Sequence, residues 1–127
     1  CKIFAAEPEG FDDMKRSLAA NRILSNKPGN HSICDAIITP SPGEVPFEIA
    51  KKYVNGGYVV TDQEVCDAMR IAFRYFKLVT EPGGAVALAS VFKPNFKPFG
   101  QDIIVILSGG NVDETLFSSV LSQRLEI

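Results

Sequence analysis

Residue types that commonly serve metal, membrane or nucleic-acid functions are scarce in this sequence. It contains no tryptophan, one histidine and three cysteines among 127 residues. The cysteines have no zinc-like spacing, and an odd number does not suit a disulfide framework. No apolar run approaches ~18 residues, so the sequence predicts no membrane partner. A formal net charge of −2 without a basic stripe argues against a nucleic-acid partner.

The start of the chain also lacks the marks of a natural N-terminus. It has no initiator methionine and no basic segment followed by an apolar one, as a secretion signal would have. Residues 1–6 have the character of a strand interior, so we expect a truncated chain. The unpaired cysteines favour a reducing environment, and we expect a cytoplasmic location.

Apolar residues make up 46 % of the chain, which is enough for the core of one domain over residues 1–127. Apolar spacing predicts strands at residues 3–6, 58–60 and 103–107. It predicts helices at residues 11–18, 47–54, 61–76, 82–92 and 112–121. This alternation predicts an α/β fold with three layers, in which a mostly parallel sheet lies between flanking helices.

Three local patterns add detail to these elements. Thr61 and Glu64 have the spacing of a capping box in front of an apolar stripe. Asn55, Gly56 and Gly57 are predicted to end the helix before them in a left-handed conformation. The continuous apolar run at 103–107 is typical of a central parallel strand that is covered on both faces.

The strongest candidate site is Ser108-Gly109-Gly110-Asn111, where the last predicted strand turns into a helix. Ligands of open parallel sheets collect at the carboxyl ends of the strands. Glycines there allow a ligand to approach the backbone, and the N-terminus of the next helix favours an anionic group. An ordinary strand-to-helix turn explains the local pattern equally well.

Two acidic segments are further candidates. Glu81 precedes a proline-led helix, where its carboxylate either faces a site or complements the helix dipole. Glu7 and Asp13 lie on either side of a turn, and with a backbone carbonyl they offer hard oxygen ligands for Mg²⁺ or Ca²⁺. The alternative is that Asp12 caps the following helix and the other charges lie on the surface. His31 has no second ligand or nucleophile beside it and is not a catalytic candidate.

Four stretches in a fixed order carry a resemblance to a known family. They are AAEPEGFDD, GYVVTDQEVCDAMR, KLVTEPGGAVALA and IIVILSGGNVD, and together they extend over nearly all of the chain. The chain resembles the threonine and serine dehydratases, which include serine racemase, among the fold-type II pyridoxal-phosphate enzymes. The resemblance implies the C-terminal part of the large catalytic domain, a pyridoxal 5'-phosphate cofactor and a small amino-acid substrate. Loss of the N-terminal half would expose residues 3–6 and the small-residue helix at 83–89, so we expect the chain to self-associate as a homodimer.

The resemblance also implies roles for individual residues. Ser108 corresponds to the serine whose hydroxyl hydrogen-bonds the pyridine nitrogen of the cofactor. Gly109, Gly110 and Asn111 shape the same wall, and Glu81 corresponds to the glutamate that faces the cofactor ring.

A divalent-cation site made by Glu7, the carbonyl of Phe11 and Asp13 is implied as well. The family's Schiff-base lysine lies in a motif of the type Ser-Phe-Lys-x-Arg-Gly, and this chain has no match to it or to the glycine-rich phosphate loop. We therefore assign no catalytic residue here. Residues 34–36 read Cys-Asp-Ala where relatives read Ala-Asp-Gly.

Two classes of function remain open from the sequence. In the first, the chain is part of an enzyme that converts L-threonine to 2-oxobutanoate and ammonia, or L-serine to pyruvate, and it is inactive in isolation. Serine racemase and hydroxyaspartate dehydratase are alternatives within the same family. In the second, the chain is a truncated domain without catalytic function.

Overall fold

A computed structural model describes residues 1–94, 96–98 and 100–122. The strands are β1 (Ile3–Pro8) and β2 (Val54–Val60). The helices are α1 (Asp13–Ala20), α2 (Glu44–Tyr53), α3 (Asp62–Ile71), α4 (Pro82–Val91) and α5 (Glu114–Ser122). A 3₁₀ turn at Asp35–Ile37 and a π turn at Ala72–Phe76 complete the described elements.

The two strands pair in parallel, with Ala6 opposite Tyr58. Ile3 lies opposite Val54 but Ala5 lies opposite Gly57, so β2 contains one extra residue at this point. Gly56, with φ 145°, provides the backbone conformation that the bulge needs. The prediction that residues 55–57 end a helix is wrong, because α2 ends at Tyr53 and runs directly into β2.

Helices cover both faces of this strand pair. Glu7 and Gly57 point to α1: the Glu7 carboxylate bonds its backbone, and a Cβ at Gly57 would touch Lys15. On the opposite face, Ala6 and Val60 join the apolar core that α3 and α4 provide. The α/β class, with parallel strands between helical layers, is therefore confirmed.

The predicted start of α3 is also confirmed. The Glu64 N–H donates to the Thr61 hydroxyl at 3.2 Å, and the Thr61 N–H donates to the Glu64 carboxylate at 2.8 Å. The helix continues into the π turn and stops at Lys77, whose φ is 60°. No helix of the described residues is long and apolar enough to cross a membrane.

The prediction for residues 103–107 is wrong in two respects. Among the described residues these five belong to no strand, and the sheet has only β1 and β2. One side of the segment, with Val105 and Leu107, packs on the core, whereas Ile104 and Ile106 are exposed. The segment therefore has one covered face rather than two, and no described strand is paired with it.

Candidate functional site

The turn at residues 108–111 lies directly against the start of α4. The Glu81 N–H donates to the Gly109 carbonyl at 3.1 Å. Glu81 Oε2 accepts a hydrogen bond from the Asn111 N–H at 3.0 Å. Glu81 is the N-cap residue of α4, yet its side chain makes no capping bond. The carboxylate therefore ties the turn to the helix instead of capping the helix.

Three glycines allow these segments to come so close. A Cβ at Gly84 would lie 2.5 Å from the Gly109 carbonyl oxygen, and one at Gly110 would lie 2.8 Å from the Val79 carbonyl oxygen. A Cβ at Gly109 would lie 2.6 Å from the Glu81 carboxylate. Backbone atoms face Gly84 and Gly110, so these two positions have no room for a side chain, whereas a side chain at Gly109 would have to displace the Glu81 carboxylate.

The 3₁₀ turn packs on the same end of α4. A Cβ at Gly83 would lie 3.5 Å from Ile37 and 3.6 Å from Ala36, which are ordinary contacts. The segment before the turn is fixed to the start of α3, because the Ser32 hydroxyl donates to the Asp62 carboxylate at 2.6 Å. Residues 34–36 and the turn at 108–111 thus flank one helix end.

The acidic turn near the start of the chain lies between β1 and α1. The Glu7 carboxylate accepts hydrogen bonds from the N–H groups of Met14 at 2.8 Å and Lys15 at 2.9 Å. Asp13 is only 5 % exposed, and its carboxylate accepts a hydrogen bond from the Asn26 amide at 2.6 Å. Glu7 therefore satisfies free N–H groups at the start of α1.

The alternative that Asp12 caps α1 is wrong. Asp12 makes no capping bond and instead pairs with Arg16 at 3.1 Å. Burial raises the pKa of Glu7, hydrogen bonds from the backbone oppose the rise, and the charges of Asp13 and Asp12 add to it. No backbone N–H of the described residues donates to the Phe11 carbonyl. Two close carboxylates and an available carbonyl suit a divalent cation, and the site stays a prediction.

Neither of the cysteines near the core has the character of a nucleophile. Cys34 is buried, and burial raises the pKa of its thiol to about 11. Cys66, on α3, has its pKa raised by burial as well. Nucleophilic cysteines depend on a lowered pKa. Among the described residues, no three His, Cys, Asp or Glu side chains converge on a metal position.

A family model described as pyridoxal-phosphate dependent enzyme matches residues 1–109. The chain belongs to this family. Serine racemase of Dictyostelium discoideum is 37 % identical over 95 % of this chain and 38 % of its own length. The beta-hydroxyaspartate dehydratase of Paracoccus denitrificans is 33 % identical over 88 % of this chain and 35 % of its own.

A solved structure of the family has the same backbone arrangement. The threonine deaminase of T.th. is 38 % identical, with a TM-score of 0.82, over 88 % of this chain and 37 % of its own. The chain thus spans little more than a third of the length of the relatives it matches. As a member of this family, it is related to enzymes that use pyridoxal 5'-phosphate.

The described residues fit one wall of a pyridoxal 5'-phosphate site. Ser108 is exposed, and its hydroxyl has no hydrogen-bond partner among the described residues. The contact between Gly84 and Gly109 and the bond from Asn111 to Glu81 fix the backbone beside it. An exposed hydroxyl on a fixed backbone suits the ring nitrogen of the cofactor.

Sequence reasoning found most of this wall but missed two of its supports. Gly109, Gly110, Asn111 and Glu81 were predicted, and the structure brings them together. The close contact between Gly84 and Gly109 was not predicted. The predictions also missed that the Asp62 carboxylate anchors the segment before the 3₁₀ turn. It does so by accepting a hydrogen bond from Ser32, thirty positions earlier in the chain. Both depend on contacts distant in sequence, which no local pattern signals.

Glu7 and Asp13 form a separate cluster on the other side of the strand pair.

Proposed function

We propose that this chain is the C-terminal part of the catalytic domain of a threonine or serine dehydratase. The complete enzyme would convert L-threonine to 2-oxobutanoate and ammonia, and L-serine to pyruvate and ammonia. The observation that carries this proposal is the exposed Ser108 hydroxyl on the turn that Glu81 holds against α4.

The chemistry of a hydroxyl at this position supports elimination. When bound, pyridoxal 5'-phosphate supplies the electron sink for reactions at the amino-acid α-carbon. A carboxylate beside the pyridine nitrogen would keep it protonated and strengthen that sink. A serine hydroxyl is too weak an acid to do so, and Ser108 can only donate a hydrogen bond to a neutral nitrogen. A weaker sink suits a reaction in which the β-hydroxyl leaves promptly.

The other residues of the wall position the turn. Glu81 holds the backbone of Asn111, and the close contact of Gly84 with Gly109 fixes the distance between α4 and the turn. This arrangement fixes the backbone that carries Ser108 without direct contact between Glu81 and the serine. In our proposal the substrate is a small hydroxy amino acid, and the complete protein is a homodimer.

Serine racemase is a second candidate function. It is favoured by the 37 % identity to the Dictyostelium discoideum enzyme, and a hydroxyaspartate dehydratase is favoured by the Paracoccus denitrificans relative. In all three proposals the wall would border the cofactor ring rather than the substrate side chain, so it is compatible with each reaction.

The chain in isolation should have no activity, because it has no match to the lysine motif or to the phosphate loop. The test is release of 2-oxobutanoate from L-threonine by the chain alone and by the chain joined to a lysine-bearing part. The joined protein is then assayed with L-serine and threo-3-hydroxyaspartate, and D-serine is measured by chiral chromatography. Release of 2-oxobutanoate by the joined protein only supports the proposal, whereas D-serine without 2-oxo acid favours the racemase.

A further inference from the structure

Helix α2 exposes a row of apolar side chains along one side. Val45, Ile49 and Tyr53 follow one another at intervals of four residues, so they lie on the same side of the helix. Their exposed fractions are 71 %, 54 % and 64 %. Phe47 and Ala50, by contrast, are buried and fix α2 to the fold. A surface helix normally has one apolar side, and the second one here indicates a contact with another molecule. We call Val45, Ile49 and Tyr53 the α2 stripe.

The charged side chains of α2 change sign along the helix. Glu44 and Glu48 lie in its first half. Lys51 and Lys52 lie in its last turn. Glu48 pairs with Lys51 at 3.3 Å, but the Glu48 side chain remains 63 % exposed. Lys52 is exposed and has no partner among the described residues. A second helix of the same sequence therefore meets opposite charges only if it runs in the reverse direction.

We propose that the α2 stripe packs against the α2 stripe of a second copy of this chain, with the two helices antiparallel about a two-fold axis. A two-fold contact brings the same patch of both copies together. Ile49 then meets Ile49 of the other copy at the axis, and Val45 meets Tyr53. Glu48 and Lys52 lie four residues apart on one flank of the stripe, so Glu48 of each copy lies beside Lys52 of the other. These two ion pairs fix the antiparallel direction.

The balance of charge on α2 favours a second copy over other occupants. Its two acidic and two basic residues leave no net charge, whereas helices that bind anionic membranes have a basic polar face. A strongly charged protein partner would find one half of the helix repulsive. A helix of ten residues is about 15 Å long, so the contact is small and we expect a weak dimer with a Kd of about 0.1 mM. This inference goes beyond the proposed function and does not depend on the reaction.

Sedimentation equilibrium of the chain between about 10 µM and about 1 mM tests the contact. The wild type should show a monomer–dimer equilibrium. Ile49→Lys places two ammonium groups at the axis and should raise the Kd at least tenfold. Ile104→Lys is the matched control, because it replaces an isoleucine that is 88 % exposed and adds the same charge elsewhere. It should dimerise as the wild type does, and thermal melts check that both variants fold.

A mixing experiment separates contact between copies from effects within one helix. Glu48→Lys and Lys52→Glu each place like charges on both sides of the axis, so each should dimerise at least threefold more weakly than the wild type. In a mixture of the two variants, the lysines of one chain face the glutamates of the other. Mixed dimers should therefore form at least threefold more tightly than either variant forms with itself. They are measured by energy transfer between two fluorophores, one on each variant. A second chain cannot restore an interaction that is lost within the first.

Three results would overturn the proposal: a wild type that stays monomeric up to about 1 mM, an Ile49→Lys variant that dimerises as tightly as the wild type, or a mixture that associates no better than its components. A dimer that Ile104→Lys dissolves would also overturn it, while leaving the homodimer of the proposed function possible through another surface. A dimer that Ile49→Lys dissolves, in a joined protein that releases no 2-oxo acid, would contradict the dehydratase and leave the α2 contact intact.

Discussion

The Glu81 carboxylate lies 3.0 Å from the backbone nitrogen of Asn111, although Glu81 begins a helix and Asn111 follows an extended segment. The same carboxylate occupies the space where a side chain at Gly109 would lie. The start of α4 and the turn that carries Ser108 therefore pack as one unit. A substitution in either should alter the position of the other.

Adjacent glycines of α4 should respond differently to alanine. In Gly84→Ala the new Cβ would lie 2.5 Å from the Gly109 carbonyl, and backbone must move, so we expect a loss of roughly 1–3 kcal/mol in the free energy of unfolding. In Gly83→Ala the nearest atom is 3.5 Å away. The better helix propensity of alanine should then leave stability unchanged or raise it by up to about 1 kcal/mol.

Urea unfolding of the two variants measures this difference. The two glycines are both buried in the same helix turn, so Gly83→Ala controls for general effects of a methyl group there. Equal stabilities of the two variants would mean that α4 and the turn at 108–111 are not in tight contact.

Glu64 should make stability depend on acid pH. Burial opposes its ionisation, but the Lys93 ammonium, 2.6 Å away, and the Thr61 N–H outweigh burial and hold the pKa of Glu64 below its ordinary value of 4.5. The stabilisation is present above pH 4.5 and is lost as the pH falls through the lower, folded-state pKa. Because the pair is partly exposed, the effect should be about 1 kcal/mol or less.

The measurement is urea unfolding of wild type and Glu64→Gln between pH 3 and pH 7. Their stabilities should differ most at neutral pH and converge as the pH falls below 4.5. Glu9→Gln, which changes an exposed glutamate, is the control and should track the wild type. A Glu64→Gln deficit that stays constant down to pH 3 would contradict the role of the Glu64 charge.

The elements that local chemistry determines were predictable, and those that depend on distant neighbours were not. The capping box at Thr61 and the proline start of α4 were predicted because their bonds lie within one helical turn. Asn55, Gly56 and Gly57 were assigned to a helix end because the sequence does not show the opposing strand, against which the bulge forms. Apolar character at 103–107 predicted burial, but pairing needs partner strands that the described residues do not supply.

The candidate site shows the same division. Gly109, Gly110 and Asn111 are a local turn motif and were found from the sequence. The expectation that the small-residue helix at 83–89 is exposed is wrong, since all but one of residues 82–90 are buried in the described chain, whereas self-association stays a prediction. Small residues signal close approach but do not say to what, and here the neighbour is the turn at 108–111.

The acidic turn should bind a divalent cation. Burial and the charge of Asp13 raise the pKa of Glu7, and a cation held by both carboxylates and by the Phe11 carbonyl would lower it. A ligand that binds only the folded chain raises the melting temperature, by roughly 3 °C or more at ten times its Kd. We expect such a rise with millimolar Mg²⁺ or Ca²⁺.

Asp13→Asn tests this site, because asparagine keeps an oxygen for the Asn26 amide but removes the charge. Its melting temperature should not respond to the metal, whereas that of Asp102→Asn, an exposed position, should respond as the wild type does. If neither metal changed the melting temperature of the wild type, the cation site would be contradicted. Glu7 would then serve only to bind the N–H groups at the start of α1.

The most direct test of the account is the turnover of Ser108→Ala with L-threonine in the protein joined to its lysine-bearing part. Ser118→Ala, exposed on α5, is the control. If Ser108 donates to the cofactor ring nitrogen, kcat should fall at least tenfold while the melting temperature stays that of the control. Unchanged turnover in Ser108→Ala would contradict the assignment.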